Sequence, residues 1–207
     1  MKNKKSNNIP LSTLDMPGFS RLVVSIYPTS QNKYYFVFKL VPFDGYGKRG
    51  QPEYSLDDDE FMSTALDYAN AKEFHAMLLP IAREPEYMTK LKKAEFMSAV
   101  NAPDLKNEID IVLPCRSKKV TLRFVYRQEK NGYMVAHLIA QEDGEKIHFP
   151  FEIIVDRYYD PSIDEEVTQI HQVGLCRLVY QLERYFEHVD NINIPNWSRN
   201  VHAQPSP

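Results

Sequence analysis

Apolar and polar residues alternate across residues 20–27 and again across 34–41. A period of two sends successive side chains to opposite faces of a strand. Leu22, Val24 and Ile26, with Tyr34, Phe36, Phe38 and Leu40, therefore form one core-directed face, and Arg21, Val23, Ser25, Tyr27, Tyr35, Val37 and Lys39 form the other. The polar link 28–33, opened by Pro28, suits an antiparallel hairpin. Gly45, Gly47 and Gly50 mark a loop without the Gly-Lys-Ser/Thr of a phosphate cradle. A short strand is predicted over 51–56. The run Asp57, Asp58, Asp59 and Glu60 sits where a helix N-terminus gains from negative charge. Phe61, Ala65, Tyr68, Ala69, Ala76 and Leu79 follow at helical spacing, and Pro80 and Pro85 close the segment. A second helix is predicted from Pro85 through Tyr87, Leu91, Ala94 and Met97 to about Ala99.

The later part of the chain repeats this scheme, so that residues 119–189 echo residues 20–80. A strand at 108–113 precedes strands at 120–127, 133–140 and 146–153, joined by turns around Gly132 and Gly144, where glycine supplies the positive φ of a tight reversal. A long helix is then predicted over 163–189, with Ile163, Val167, Ile170, Gly174, Leu178, Leu182, Tyr185, Phe186 and Val189 along one stripe. The expected organisation is a flexible leader at 1–17, sheet-and-helix halves at 18–100 and 101–189, and an irregular tail at 190–207 stapled by Trp197, the only tryptophan. The fold class this defines is α+β, built from two related antiparallel sheet-plus-helix halves.

With 207 residues, of which 43% are hydrophobic, the chain can bury one substantial core or two small ones side by side. Its formal net charge of −3 supplies no global attraction to nucleic acid or to an anionic membrane, so any such binding must come from a local patch. No apolar run approaches the roughly 20 residues of a membrane span, and the basic start of the chain lacks the apolar segment of a signal peptide. Cys115 and Cys176 are the only cysteines; they give no disulfide framework and fit a reducing, cytoplasmic setting, with Cys176 expected as a small core residue.

One local patch stands out. If Leu122, Phe124 and Tyr126 face the core, then Thr121, Arg123, Val125 and Arg127 face outward, joined by Tyr133, His137, Lys146 and His148. Residues 116–130 are basic, with Arg116, Lys118, Lys119, Arg123, Arg127 and Lys130 against Glu129. The first half adds Arg21, Tyr27, Tyr35 and Lys39. Cations alternating with rings suit a single-stranded nucleic acid, because cations neutralise phosphates while aromatic faces stack on unpaired bases. An ordinary solvated sheet face would carry many of the same residues. The acidic run 57–60, and Asp156, Asp160, Asp164, Glu165 and Glu166, lack the ligand spacing of a calcium loop and read as helix caps. The six histidines show no zinc spacing, and His137 with His148 is the one pair that facing strands would bring together.

The layout of 34–41, the glycine hairpin, 51–56 and a capped helix, followed by 120–153 and a second helix, resembles the Whirly, coactivator-p15 and Pur-type folds. The resemblance implies binding of single-stranded DNA or RNA by the sheets, without catalysis or cofactor, as a homodimer or higher oligomer. Arg21, Lys39, Lys119, Arg123 and Arg127 would then contact phosphates and Tyr27, Tyr35 and Tyr133 would stack on bases, beside His137, Lys146 and His148. A protein-interaction or structural adaptor, and a metal-dependent hydrolase or nuclease using an acidic cluster, are the alternative readings.

Overall fold

The computed structural model describes residues 12–29, 33–55, 60–83, 86–89 and 108–201, with side chains described for all of these except 86–89 and 192–201. Sheet 1 is antiparallel, with β1 (Ser12–Met16), β2 (Ser20–Pro28) and β3 (Tyr34–Tyr46) in order. The long β3 pairs β4 (Pro52–Tyr54) at its far end and β5 (Met62–Asp67) along its first half. Helix α1 (Tyr68–Arg83) follows, then the short β6 (Glu86–Thr89). Sheet 2 runs in the order β10 (Glu145–Pro150), β9 (Met134–Glu142), β8 (Thr121–Gln128), β7 (Ile109–Val112), all antiparallel. A third sheet joins β11 (Ile154–Asp160), β12 (Glu165–His171) and β6, and α2 (Val173–Val201) ends the described chain. The architecture is α+β with antiparallel sheets.

The alternation read from the sequence is the alternation of burial. Leu22, Val24, Ile26, Tyr34, Phe36, Phe38 and Leu40 are all buried, as are Leu122, Phe124, Leu138 and Ala140 of sheet 2. Both sets belong to one core, which also takes Ala71, Phe74 and Leu78 of α1 and Leu178, Leu182 and Tyr185 of α2. Each helix reaches across the molecule. The Phe74 ring lies 6.1 Å from Phe38 of sheet 1 and 5.7 Å from Phe124 of sheet 2. The Tyr185 hydroxyl donates to the Val24 carbonyl at 2.9 Å, and the Phe186 ring sits 4.9 Å from Phe36. Backbone joins the sheets as well, with Arg116 N–H donating to the Ala65 carbonyl at 2.8 Å.

Several elements differ from their sequence-based expectation. Residues 62–67 are strand, not the start of a helix: Met62, Thr64 and Leu66 are buried at a period of two and stand opposite Leu40, Phe38 and Phe36 of β3. Pairing with a preformed strand satisfies the backbone and outweighs a helical spacing carried by few residues. The helix starts only after Asp67, whose carboxylate accepts from Asn70 N–H at 2.8 Å as an N-cap, and it continues through an exposed Pro80 because Leu78 and Ala82 anchor its last turn. Residues 163–171, expected to open the long helix, form the turn and second strand of the β11–β12 hairpin, in keeping with the β-branched content of that stretch. Residues 12–16, expected as part of a flexible leader, pair with β2. Residues 190–201, expected to be irregular, continue α2. Of the helix predicted over 85–99, residues 86–89 are strand paired with β12, and 90–99 lie outside the described residues, as do the acidic positions 57–59 and the side chain of Trp197.

At the start of α2 the backbone of Gly174 packs onto the strand exit from sheet 2, its N–H donating to the Glu152 carbonyl at 2.9 Å. A Cβ there would stand 2.6 Å from the Glu152 backbone nitrogen. Gly174→Ala is therefore expected to cost about 1–3 kcal/mol by overpacking, lowering the thermal midpoint by several degrees in a calorimetric scan. An unchanged midpoint would show that the helix start can shift freely away from residue 152.

Candidate nucleic-acid interface

The outer face of sheet 1 is a grid set by strand register. Tyr27, Tyr35 and Asp67 form one cross-strand row, and Ser25, Val37 and Ala65 the next. Thr13, Val23, Lys39 and Ser63 form a third row, followed by Asp15, Arg21 and Val41. Side chains on one face of a strand recur about every 7 Å, so the rows span roughly 20 Å. Neither helix lies on this face, because both pack on the core side. Small and apolar residues form its floor and cations over rings form its rim. The Arg116 guanidinium lies 4.5 Å from the Tyr35 ring centroid, Lys39 Nζ 3.2 Å from that of Phe61, and the Arg21 guanidinium 4.3 Å from that of Tyr54. Tyr27 is 65% exposed and presents an uncovered ring at the end of the grid.

Two of the rim residues have perturbed protonation. Arg21 is held further toward its charged form, chiefly by its hydrogen bond to Asp15, with Nε to Oδ1 at 2.6 Å. Burial pushes the Tyr54 hydroxyl up, so its ring serves as a neutral surface for the guanidinium.

The outer face of sheet 2 is different. Arg123 forms a two-pronged ion pair with Asp110 across β7 and β8, its Nη2 2.7 Å from Oδ2. Arg127 pairs with Glu129 at 3.2 Å and Lys119 with Glu142 at 2.5 Å. The Tyr133 hydroxyl accepts from Arg157 at 2.9 Å, while Lys146 stands exposed on β10. Val125, Val135 and His137 are buried on this face, so it is not the open surface the strand parity predicts.

His137, expected to face solvent, is only 3% exposed and cannot touch a polymer lying on the sheet. Its ring stacks on His148 with centroids 4.7 Å apart, and its Nδ1 lies 2.8 Å from His148 Nε2. Burial, then the neighbouring His148, lowers its pKa to about 4 against the opposing pull of Glu129, which lies 3.0 Å from Nε2. Burial likewise lowers that of His148, whose ring takes the edge of Phe19 and whose carbonyl accepts from Ser20 Oγ at 2.9 Å. The pair clasps the β1–β2 turn to sheet 2. Facing strands do bring the two histidines together, yet among the described residues no three His, Cys, Asp or Glu side chains are grouped to hold a metal ion.

The structure thus gathers Arg21, Tyr27, Tyr35 and Lys39 on one face that no described helix covers, with Arg21 paired to Asp15, and leaves Lys119, Arg123, Arg127 and Tyr133 engaged with partners elsewhere. It adds Arg116, Tyr54 and Phe61. Arg116 belongs to a segment whose basic character is plain in the sequence, but the backbone bond that carries it to β5 joins residues 51 positions apart. Phe61 is concealed by its fit to a helical stripe. Cys176, expected in the core, is exposed, its thiol donating to the Ala82 carbonyl at 2.7 Å. No described helix is long and apolar enough to cross a membrane. Comparison of the chain with protein-family models, curated proteins and solved structures gave no match.

Proposed function

We propose that this chain binds single-stranded nucleic acid, without catalysing a reaction, along the outer face of sheet 1. The observation that carries the reading is the grid that no described helix covers, with three cations seated over aromatic rings around a half-buried floor of Val23, Ser25, Val37 and Ala65. Phosphates meet Lys39 and Arg116, with the Asp15-paired Arg21 at the border, while bases stack on Tyr27 and on the Tyr35–Arg116 pair, since a guanidinium plane accepts a base as a ring does. The basic loop 114–119 extends the positive border with Lys118. Five antiparallel strands lead to α1, and the four strands of sheet 2 with the β11–β12 hairpin precede α2, an order of sheet then helix, twice over, that the Whirly and Pur-type resemblance shares and that supports the same reading.

Fluorescence anisotropy with labelled single-stranded and duplex oligonucleotides tests it. Tyr35→Ala with Arg116→Ala is expected to weaken single-strand binding about tenfold or more, given roughly 1–3 kcal/mol per stacked base, and to flatten its salt dependence. Arg123→Ala with Asp110→Ala, which removes a compensated pair from sheet 2, is expected to leave it unchanged. Absence of binding to any oligonucleotide at low salt, or equal loss from both variants, overturns the assignment.

A further inference from the structure

The outer strand of the β11–β12 hairpin is exposed, although β12 pairs β6 and buries Val167 and Ile170. Asp156, Arg157, Tyr158 and Tyr159 are all exposed, as are residues 161–164 of its turn. Because Tyr158 and Tyr159 are neighbours in a strand, they point to opposite faces, yet they are 41% and 59% exposed. Solvent therefore reaches both sides of β11. Ile154 and Ile163 add exposures of 44% and 48%. A soluble surface rarely concentrates aromatic and aliphatic side chains in this way unless they have an occupant. The tip is held in shape: Tyr159 donates to Asp164, Asp160 accepts from Ser162 N–H at 2.9 Å, and Ile163 N–H donates to the Asp160 carbonyl at 3.3 Å.

The charge of this arm identifies the occupant. Asp156, Asp160, Asp164, Glu165 and Glu166 stand against Arg157 alone, apart from His171 at its base. On the outer face of sheet 1 and its adjoining loop Arg21 is compensated by Asp15, and Lys39, Arg116 and Lys118 outnumber Asp67 around an apolar floor with rings on the rim. Acidic and aromatic on one surface, basic and apolar on the other, the two are complementary, and one chain carries both. We propose that the β11–β12 arm of one copy docks on the sheet 1 outer face of a second copy. Tyr158, on the hairpin face that also carries Asp156, Asp160 and Glu165, lies on the Val23, Val37 and Ala65 floor, and those carboxylates meet Lys39, Arg116 and Lys118. The contact is heterologous, so copies add head to tail into rings or chains instead of stopping at a symmetric pair. Arm and nucleic acid then compete for one face, although the docking itself needs no nucleic acid.

Sedimentation velocity of the full chain over a range of concentrations, at low and high salt and without nucleic acid, tests the contact. Wild type is expected to form a concentration-dependent series of oligomers that high salt dissolves. An arm variant, Tyr158→Ser with Tyr159→Ser and Glu165→Lys, and a face variant, Arg116→Glu with Lys118→Glu, are each expected to sediment as monomers. Mixed together they retain one intact arm and one intact face, and a dimer is expected that stops at two. A monomeric wild type, an association that the arm variant leaves intact, or a mixture that stays monomeric overturns the proposal. Oligonucleotide titration of the arm variant separates the two readings. Retained binding by a monomeric arm variant keeps the nucleic-acid assignment whatever the fate of the arm, and oligomers without oligonucleotide binding keep the arm alone.

Discussion

Phe74→Ala is expected to destabilise the protein by about 3–5 kcal/mol. Phe74 is 3% exposed and is the middle ring of a relay from Phe38 in sheet 1 to Phe124 in sheet 2. Its removal deletes the transfer free energy of a buried ring and opens a cavity between two sheets, neither of which can close it without moving α1. Most marginal folds hold only about 5–15 kcal/mol in total, so a loss of this size consumes a large share. In urea denaturation the midpoint should fall steeply with little change in slope. Phe74→Leu, which keeps most of the volume, should cost far less. A double-mutant cycle with Phe124→Ala should return a coupling energy, because the two rings share one contact. A cost for Phe74→Ala below about 1 kcal/mol would show that the two sheets are not joined through this helix.

Stability should also decline as the pH falls below 6.5, through the buried histidine pair. An unfolded imidazole takes its proton near pH 6.5, whereas His137 in the fold, desolvated and stacked on His148, takes one only near pH 4. Between those values the unfolded chain binds more protons than the folded one, so stability is fully present above pH 6.5 and drains away as the pH falls toward 4. The full displacement of His137 corresponds to about 3 kcal/mol, and the lowered pKa of His148 acts in the same direction. Arg127 and Glu129 are the charged groups facing the pair; Arg127 opposes protonation of both rings and Glu129 favours it. The result to look for is a urea midpoint that is flat from pH 7.5 to 6.5 and falls between 6.5 and 5, before most carboxylates titrate. His137→Leu should flatten that fall. A wild type as stable at pH 5 as at pH 7 would mean that the imidazoles are charged in the fold.

The sequence by itself determined β2, β3 and β4 of sheet 1, the four strands of sheet 2, and which side chains of β2, β3 and β8 enter the core. Leu22, Phe36, Phe38, Leu122 and Phe124 are buried as alternation requires, because a period of two leaves a strand with one apolar face little choice of orientation. It equally determined the stripe of α2 from Gly174 to Val189, and the proximity of His137 and His148 on adjacent strands. Only the tertiary structure decided what lies on the second face of each sheet. Arg123, Arg127 and Arg21 alternate outward alike in the sequence and each meets a carboxylate, Asp110, Glu129 and Asp15, but only the sheet 1 face also gains Arg116 from a distant loop. Residues 62–67 and 165–171 became strands because β3 and β11 offered backbone partners, which lie outside each local helical stripe. Periodicity reports the contrast between core and solvent along one segment, whereas charge compensation, strand pairing and the covering of an outer face depend on residues brought together from far along the chain.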